Sequence, residues 1–222
     1  MRSYAIGDIH GHLDLLLHAH ELIAIDRNHH AVPEAPVIHL GDLVDRGPDC
    51  RGVVDHLMRG TAAGENWITL KGNHDRMFAL YLTALDAHDD GLRRDLSWLH
   101  PRLGGAATLA SYGVQNPGDR PLEPVFQDAL AAVPQAHRDW GARRLHRMMN
   151  WEYDGFFRIG MHHRHERGAV VQHGTMHLRD GGADRQERVR VDHFAGTARG
   201  NPGGGQQRHV FVGFDHRDVR TL

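Results

Sequence analysis

Three times in its first 80 residues the chain runs from a short apolar stretch into a glycine-framed polar turn. The turns are Gly7-Asp8-Ile9-His10-Gly11, the seven residues GDLVDRG from Gly41 to Gly47, and Gly72-Asn73-His74-Asp75. Strands are predicted before them at Ser3–Ile6, Val37–Leu40 and Trp67–Leu70. Between and after the strands, apolar residues recur at helical spacing. This predicts helices over His12–Ile25 (Leu13, Leu16, Leu17, Leu22), Arg51–Arg59, closed by Gly60, and Arg76–Leu85. Strand–helix–strand units of this length make parallel strands with right-handed crossovers. The carboxyl ends of parallel strands share one edge, where ligands bind. Asp8, His10, Asp42, Asn73 and His74 are therefore expected to converge, with the glycines allowing close backbone approach.

The converging set is chemically coherent. Asp and His two residues apart can reach one cation, a carboxylate such as Asp42 can bridge two, and Asn73 offers a neutral oxygen. Mixed oxygen and imidazole donors suit Mn²⁺, Fe or Zn²⁺ better than Mg²⁺ or Ca²⁺. Two such ions ~3.5–4 Å apart can hold a shared hydroxide and clamp a phosphoryl group during in-line attack. Each motif alone has a plainer reading: a turn, a loop with an internal Asp–Arg pair, an Asx-turn before a helix. Turn chemistry does not readily produce all three, in order, each after a strand.

The rest of the composition narrows the class. With 222 residues and 40% apolar content, the chain can bury a core as one domain carrying an insertion. No leader-like segment and no run near the ~18–20 apolar residues of a membrane helix is visible, so a cytoplasmic protein without membrane partners is expected. Cys50 is the only cysteine, which excludes disulfides within the chain and Cys-based metal sites. The net charge of −2 is uneven: positions 1–140 hold 12 basic and 19 acidic residues, positions 141–222 hold 14 and 9. The late arginines are interleaved with acids and lack aromatic stacking partners, so no nucleic-acid partner is expected. The 21 histidines are scattered, and most are expected at the surface.

Positions 86–150 read as a helical insertion or cap, without a core of its own and broken at Gly104-Gly105. From 155 onward, strand signals at Phe156–Ile159, Ala169–Val171, Val189–Val191 and Val210–Val212 suggest a second sheet. Residues 199–207 (RGNPGGGQQ) read as a loop.

The series GDIHG, GDLVDRG, GNHD resembles that of the calcineurin-like metallophosphoesterases. Within them it is most similar to the phosphoprotein phosphatase branch, with its bacterial serine/threonine phosphatases and symmetrical diadenosine tetraphosphatases. The likeness covers residues 3–80 and continues through LGGAATLASYG at 103–113. It implies an α/β fold, a four-layer α/β/β/α sandwich with a helical insertion and a site for two divalent ions, Mn²⁺ first and Fe or Zn²⁺ next. By the same resemblance Asp8 and His10 hold the first metal, Asp42 bridges, and Asn73 binds the second metal and touches phosphate. Arg46 grips phosphate oxygens. His74 protonates the leaving oxygen with Asp75 as its orienting partner, a position where the family often has Glu. Asp45 supports its loop.

The resemblance also asks for histidines in a His-Ala-Gly-like and a Gly-His-Thr-like turn. The second half departs from both: Gly160 stands at the first position with His162 and His163 after it, and His173 precedes Gly174-Thr175. Three explanations fit. The half is divergent and supplies two histidine ligands, His173 first and His162 next; or it is altered by a reading-frame error; or the fold has lost one metal. The implied activity is hydrolysis of phosphomonoesters, on phosphoserine or phosphothreonine of a protein or on a small phosphoester. The alternatives are hydrolysis of dinucleoside polyphosphates and an inactive metal-stabilised scaffold that docks a partner.

Overall fold

The computed structural model describes residues 2–93, 95–143, 171–175, 189–196 and 207–214, the last three stretches as backbone strands. The first half builds as its pattern dictates. Strands β1 (Arg2–Gly7), β2 (Val37–His39) and β3 (Trp67–Thr69) are parallel, with Tyr4 opposite Val37 and Val37 opposite Trp67. β1 and β2 are buried without alternation, the mark of parallel strands covered on both faces. The crossovers are α1 (Leu13–His29) and α2 (Cys50–Ala62).

α1 runs a turn further than its apolar periodicity suggests, because neither Gly nor Pro interrupts it before Pro33 and Arg27 and His29 suit its carboxyl end. Its buried stripe is Leu16, Ala19 and Ile23, whereas Leu17 is 41% exposed. α2 starts where the Asp49 carboxylate accepts the Gly52 N–H at 2.8 Å. Gly60 does not close it. A Cβ there would lie 1.9 Å from the Trp67 ring, so the glycine admits that ring against a continuing helix. These elements enclose one core of Tyr4, Ile6, Ile9, Leu16, Val37, Val44, Val53 and Leu57.

α3 (Asn73–Tyr81) begins inside the third polar turn, three residues before the predicted start, and leads into α4 (Gly105–Ser111), α5 (Leu122–Ala132) and α6 (Gln135–Arg143). Met77, Tyr81, Trp98, Leu109, Val125 and Ala129 form a second buried cluster on α3, and Phe78 packs against both clusters.

The later strands also differ from expectation. β4 (Val171–Thr175), β5 (Val189–Gly196) and β6 (Gln207–Phe214) extend the first sheet, in the order β3-β2-β1-β6-β5-β4. β6 runs parallel to β1 along its whole length, Arg2 opposite Arg208 to Gly7 opposite Gly213, while β5 is antiparallel to β6 and to β4. Apolar strands of similar length do not say from sequence which sheet they join. The predicted strand at 156–159 lies outside the described residues. The described fold is thus α/β around one mixed six-stranded sheet. Among the described residues no helix is long and apolar enough to cross a membrane.

Candidate metal centre

The first two turns leave their strands in left-handed backbone. Asp8 (φ 53°), His10 (φ 45°), Asp42 (φ 51°), Asp45 (φ 74°) and Arg46 (φ 70°) all adopt positive φ. Such conformations cost on the order of 1–3 kcal/mol each, and surrounding bonds must hold them. The bonds are present. His10 N–H donates to the Asp42 carbonyl (2.8 Å), Gly11 N–H to Leu43 (2.9 Å), Gly47 N–H to His10 (2.9 Å) and Asp49 N–H to Gly11 (2.9 Å). The second and third turns meet where Gly41 faces Gly72: a Cβ on Gly41 would lie 2.2 Å from the Gly72 nitrogen.

This zipping draws together Asp8, His10 and Asp42, whose ligand atoms lie within 4.8 Å of one another. His10 is buried and its Nδ1 lies 2.9 Å from the Val44 carbonyl, which can only accept, so Nδ1 carries the proton. Nε2 therefore carries the lone pair, the form that ligates metals, and such a back-bonded imidazole is fixed in orientation. Burial lowers the affinity of His10 for a second proton, with Arg46 and His74 acting in the same sense. Oxygen donors around one neutral imidazole fit a divalent cation of the Mn, Fe or Zn kind. Asn73 is exposed at the first position of α3, and the N–H of its neighbour His74 donates to Asp42 Oδ1 at 3.1 Å.

Arg46 reaches over this cluster. Its guanidinium nitrogens lie 3.0 Å from His10 Nε2 and 3.2 Å from His74 Nε2. Guanidinium only donates, so both Nε2 atoms accept. The two imidazole rings stand 4.8 Å apart, edge to face.

His74 hydrogen-bonds Asp45, not the Asp75 that the resemblance pairs with it. His74 Nδ1 donates to Asp45 Oδ2 at 2.7 Å, and Asp45 is 0% exposed. Asp75 follows His74 directly on α3, and adjacent helical residues do not face each other. Its carboxylate instead accepts the N–H groups of Gly72 (2.8 Å), Leu43 (2.9 Å) and Val44 (3.3 Å). It caps α3 and ties the third turn to the second. Burial pushes its carboxyl up to about 6, against the pull of those N–H groups.

Two residues near the dyad carried no functional signal in the sequence. Thr108 Oγ1 donates to Asp45 Oδ1 at 2.6 Å and accepts the Asp45 N–H at 2.9 Å, and Trp98 Nε1 donates to Asp45 Oδ2 at 2.8 Å. Gly104-Gly105 is their doorway. Gly104 (φ +87°) passes so close to Arg46 that a Cβ would lie 2.4 Å from its nitrogen, and a Cβ on Gly105 would strike the Trp98 ring at 2.5 Å. The GG pair that reads as a helix break is where the insertion docks on the site.

Of the two late histidines expected as ligands, only the backbone of His173 is described. His162 lies outside the described residues. His173 stands mid-strand on β4, opposite Asp192, itself opposite Phe211, itself opposite Ala5 of β1. Three strand spacings separate β4 from β1, about 14 Å at ~4.8 Å each.

The family model for calcineurin-like phosphoesterases matches residues 1–174. A curated relative is the symmetrical bis(5'-nucleosyl)-tetraphosphatase of Buchnera aphidicola subsp. Baizongia pistaciae (strain Bp), 33% identical over 102 residues. That match covers 45% of this chain and 34% of the relative, so it spans about a third of that protein's length. With the family model covering well over half of its residues, and with a carboxylate–histidine cluster at the carboxyl edge of its parallel strands, the chain belongs to the calcineurin-like phosphoesterases.

Proposed function

We propose that this chain is a metal-dependent hydrolase of phosphomonoesters, acting on phosphoserine or phosphothreonine in proteins or on small phosphoesters. The observation that carries the reading is the cluster of Asp8, His10 and Asp42 beside the Arg46 guanidinium and the Asp45–His74 pair. Asp8, His10, Asp42 and Asn73 would hold two divalent ions, Mn²⁺ by preference. Those ions would supply Lewis-acid neutralisation of the phosphoryl oxygens and an activated nucleophile.

The chain's own residues do the rest. Arg46 offers a planar fork to two phosphate oxygens, stronger and more directional than a lysine would be. His74 keeps its Nδ1 proton on Asp45 and, in the doubly protonated form in which Nε2 no longer accepts from Arg46, delivers the Nε2 proton to the leaving oxygen. His173 and His162 remain the proposed histidine donors of the second half, and metal content of the His173→Ala and His162→Ala proteins ranks them. The four-layer arrangement of the family is the proposed completion of the described α/β sheet.

A second reading is supported by the curated relative, whose name is that of a dinucleoside tetraphosphatase. Purified protein with Mn²⁺ should be given a phosphothreonine peptide and diadenosine tetraphosphate side by side. Faster release of phosphate from the peptide supports the first reading, and symmetrical cleavage of the nucleotide at the higher rate replaces it with the second. Metal uptake without turnover of either, or of an aryl phosphate, leaves the scaffold.

A further inference from the structure

We propose that Trp98 and Thr108, both contributed by the helical insertion, are positioning residues for leaving-group protonation. The inference rests on the hydrolytic reading above. The insertion, on this view, completes the acid rather than merely covering the site.

The argument starts from Asp45. A carboxylate with no exposure must have its lone pairs occupied, or its burial is costly. Three side chains occupy them: His74 and Trp98 on Oδ2, Thr108 on Oδ1, at 2.7, 2.8 and 2.6 Å. Thr108 also takes the backbone N–H of Asp45, so one hydroxyl fixes both ends of a residue held at φ 74°. With two of three donors coming from outside the motif loops, the carboxylate has one rotamer available. That rotamer holds His74 Nδ1 and so aims Nε2. Trp98 is itself fixed, buried against Phe78 at 5.5 Å and Tyr81 at 4.8 Å between ring centroids. Neither residue is placed to touch the reacting atoms; both act through Asp45.

The chemistry gives a selective readout. In ester hydrolysis the oxygen of water bonds to phosphorus, and the bond from phosphorus to the ester oxygen breaks with its electron pair staying on that oxygen. The oxygen takes a proton from Nε2 of doubly protonated His74, and the proton released by the attacking water restores that form. A dinitrophenolate leaves without that proton, whereas an alkoxide requires it. Damage to the acid therefore slows alkyl phosphates far more than dinitrophenyl phosphate. Damage to the metal ligands or the fold slows both.

The test compares kcat and KM of His74→Asn, Trp98→Phe, Thr108→Val and Thr108→Ser on an alkyl phosphate and on 2,4-dinitrophenyl phosphate. Trp98→Phe and Thr108→Val should each lower kcat for the alkyl ester roughly 10-fold or more, within the ~10²–10⁴ a general acid supplies, and dinitrophenyl turnover less than ~2-fold. KM should be little changed. Thr108→Ser, which keeps the hydroxyl, should recover most of the alkyl activity. In the metal-free protein, the indole N–H resonance of Trp98 should be exchange-protected and should move upfield on Asp45→Asn, a readout independent of turnover. If His74→Asn is selective for the alkyl ester while Trp98→Phe and Thr108→Val are not, the inference is wrong and the hydrolytic reading stands. An unprotected indole N–H also overturns it. If His74→Asn itself lacks the selectivity, the assigned acid is wrong and the inference falls with it.

Discussion

Removing the carboxylate of Asp75 tests the account of how the motif loops are held. In the Asp75→Ala protein, three backbone N–H groups lose their acceptor. Two of them, on Leu43 and Val44, belong to buried residues at 3% and 2% exposure, so water does not replace the lost partner easily. A hydrogen bond to a charged acceptor is worth about 1.5–3 kcal/mol. Counting the 2.8 and 2.9 Å bonds in full and neglecting the 3.3 Å one gives roughly 3–6 kcal/mol. That is a large share of a typical folding free energy of about 5–15 kcal/mol. Urea unfolding followed by tryptophan fluorescence reads it directly, with EDTA present so that no bound ion contributes. At a slope near 3 kcal/mol per molar urea, the midpoint should fall by about 1–2 M. Asp75→Asn keeps one acceptor oxygen and should lose about half as much. A midpoint within ~0.3 M of wild type for Asp75→Ala would refute the clasp. Unchanged stability with a collapse of kcat would restore the sequence-based view that Asp75 orients His74.

Other outcomes follow from the same geometry. His20 hydrogen-bonds His39 (2.9 Å) and His56 (3.0 Å) beneath Trp67, and burial, then His56 and Arg27, push it down to about 3. A histidine that binds protons more weakly folded than unfolded stabilises fully above pH 6.5 and progressively less as the pH falls toward 3. The span is an upper bound of roughly 4–5 kcal/mol, and His20→Gln should flatten stability against pH between 6.5 and 4; an unchanged slope would contradict this. Gly41→Ala forces a side chain into φ +97° and against the Gly72 backbone, so its melting temperature should drop by several degrees or more, and a change under ~2 °C would count against the close approach. The Cys50 thiol is buried and pushed up to about 12, so it should resist a thiol reagent in the native state and react at once in urea.

What was legible in the sequence is what local chemistry determines. A strand that ends in Gly-Asp-x-His needs no tertiary information to be placed, and Asp8, His10 and Asp42 meet as the strand-end argument requires. The resemblance pairs His74 with Asp75, whereas helix phase turns these neighbours apart and loop curvature brings Asp45 back to His74. Trp98 lies more than 50 residues from Asp45, in a stretch without motif character, so only the fold could reveal the contact. Thr108 was inside a segment singled out for resemblance, with nothing to mark its hydroxyl as the working atom. The later strands were found approximately, at Val189–Gly196 and Gln207–Phe214, but their sheet was not, because sheet membership is set by long-range pairing.

The central claim is that the strand-end cluster is a metal centre that hydrolyses phosphoesters. Its most direct test is p-nitrophenyl phosphate hydrolysis by the purified chain with Mn²⁺, beside Asp42→Asn, with bound metal counted in both. The account predicts turnover with two ions per wild-type chain, and loss of activity by 10²-fold or more together with metal loss in Asp42→Asn, on the scale of the ~10–100-fold affinity effects seen even for supporting residues. Equal activity in the two proteins, or no metal-dependent turnover in either, would contradict it.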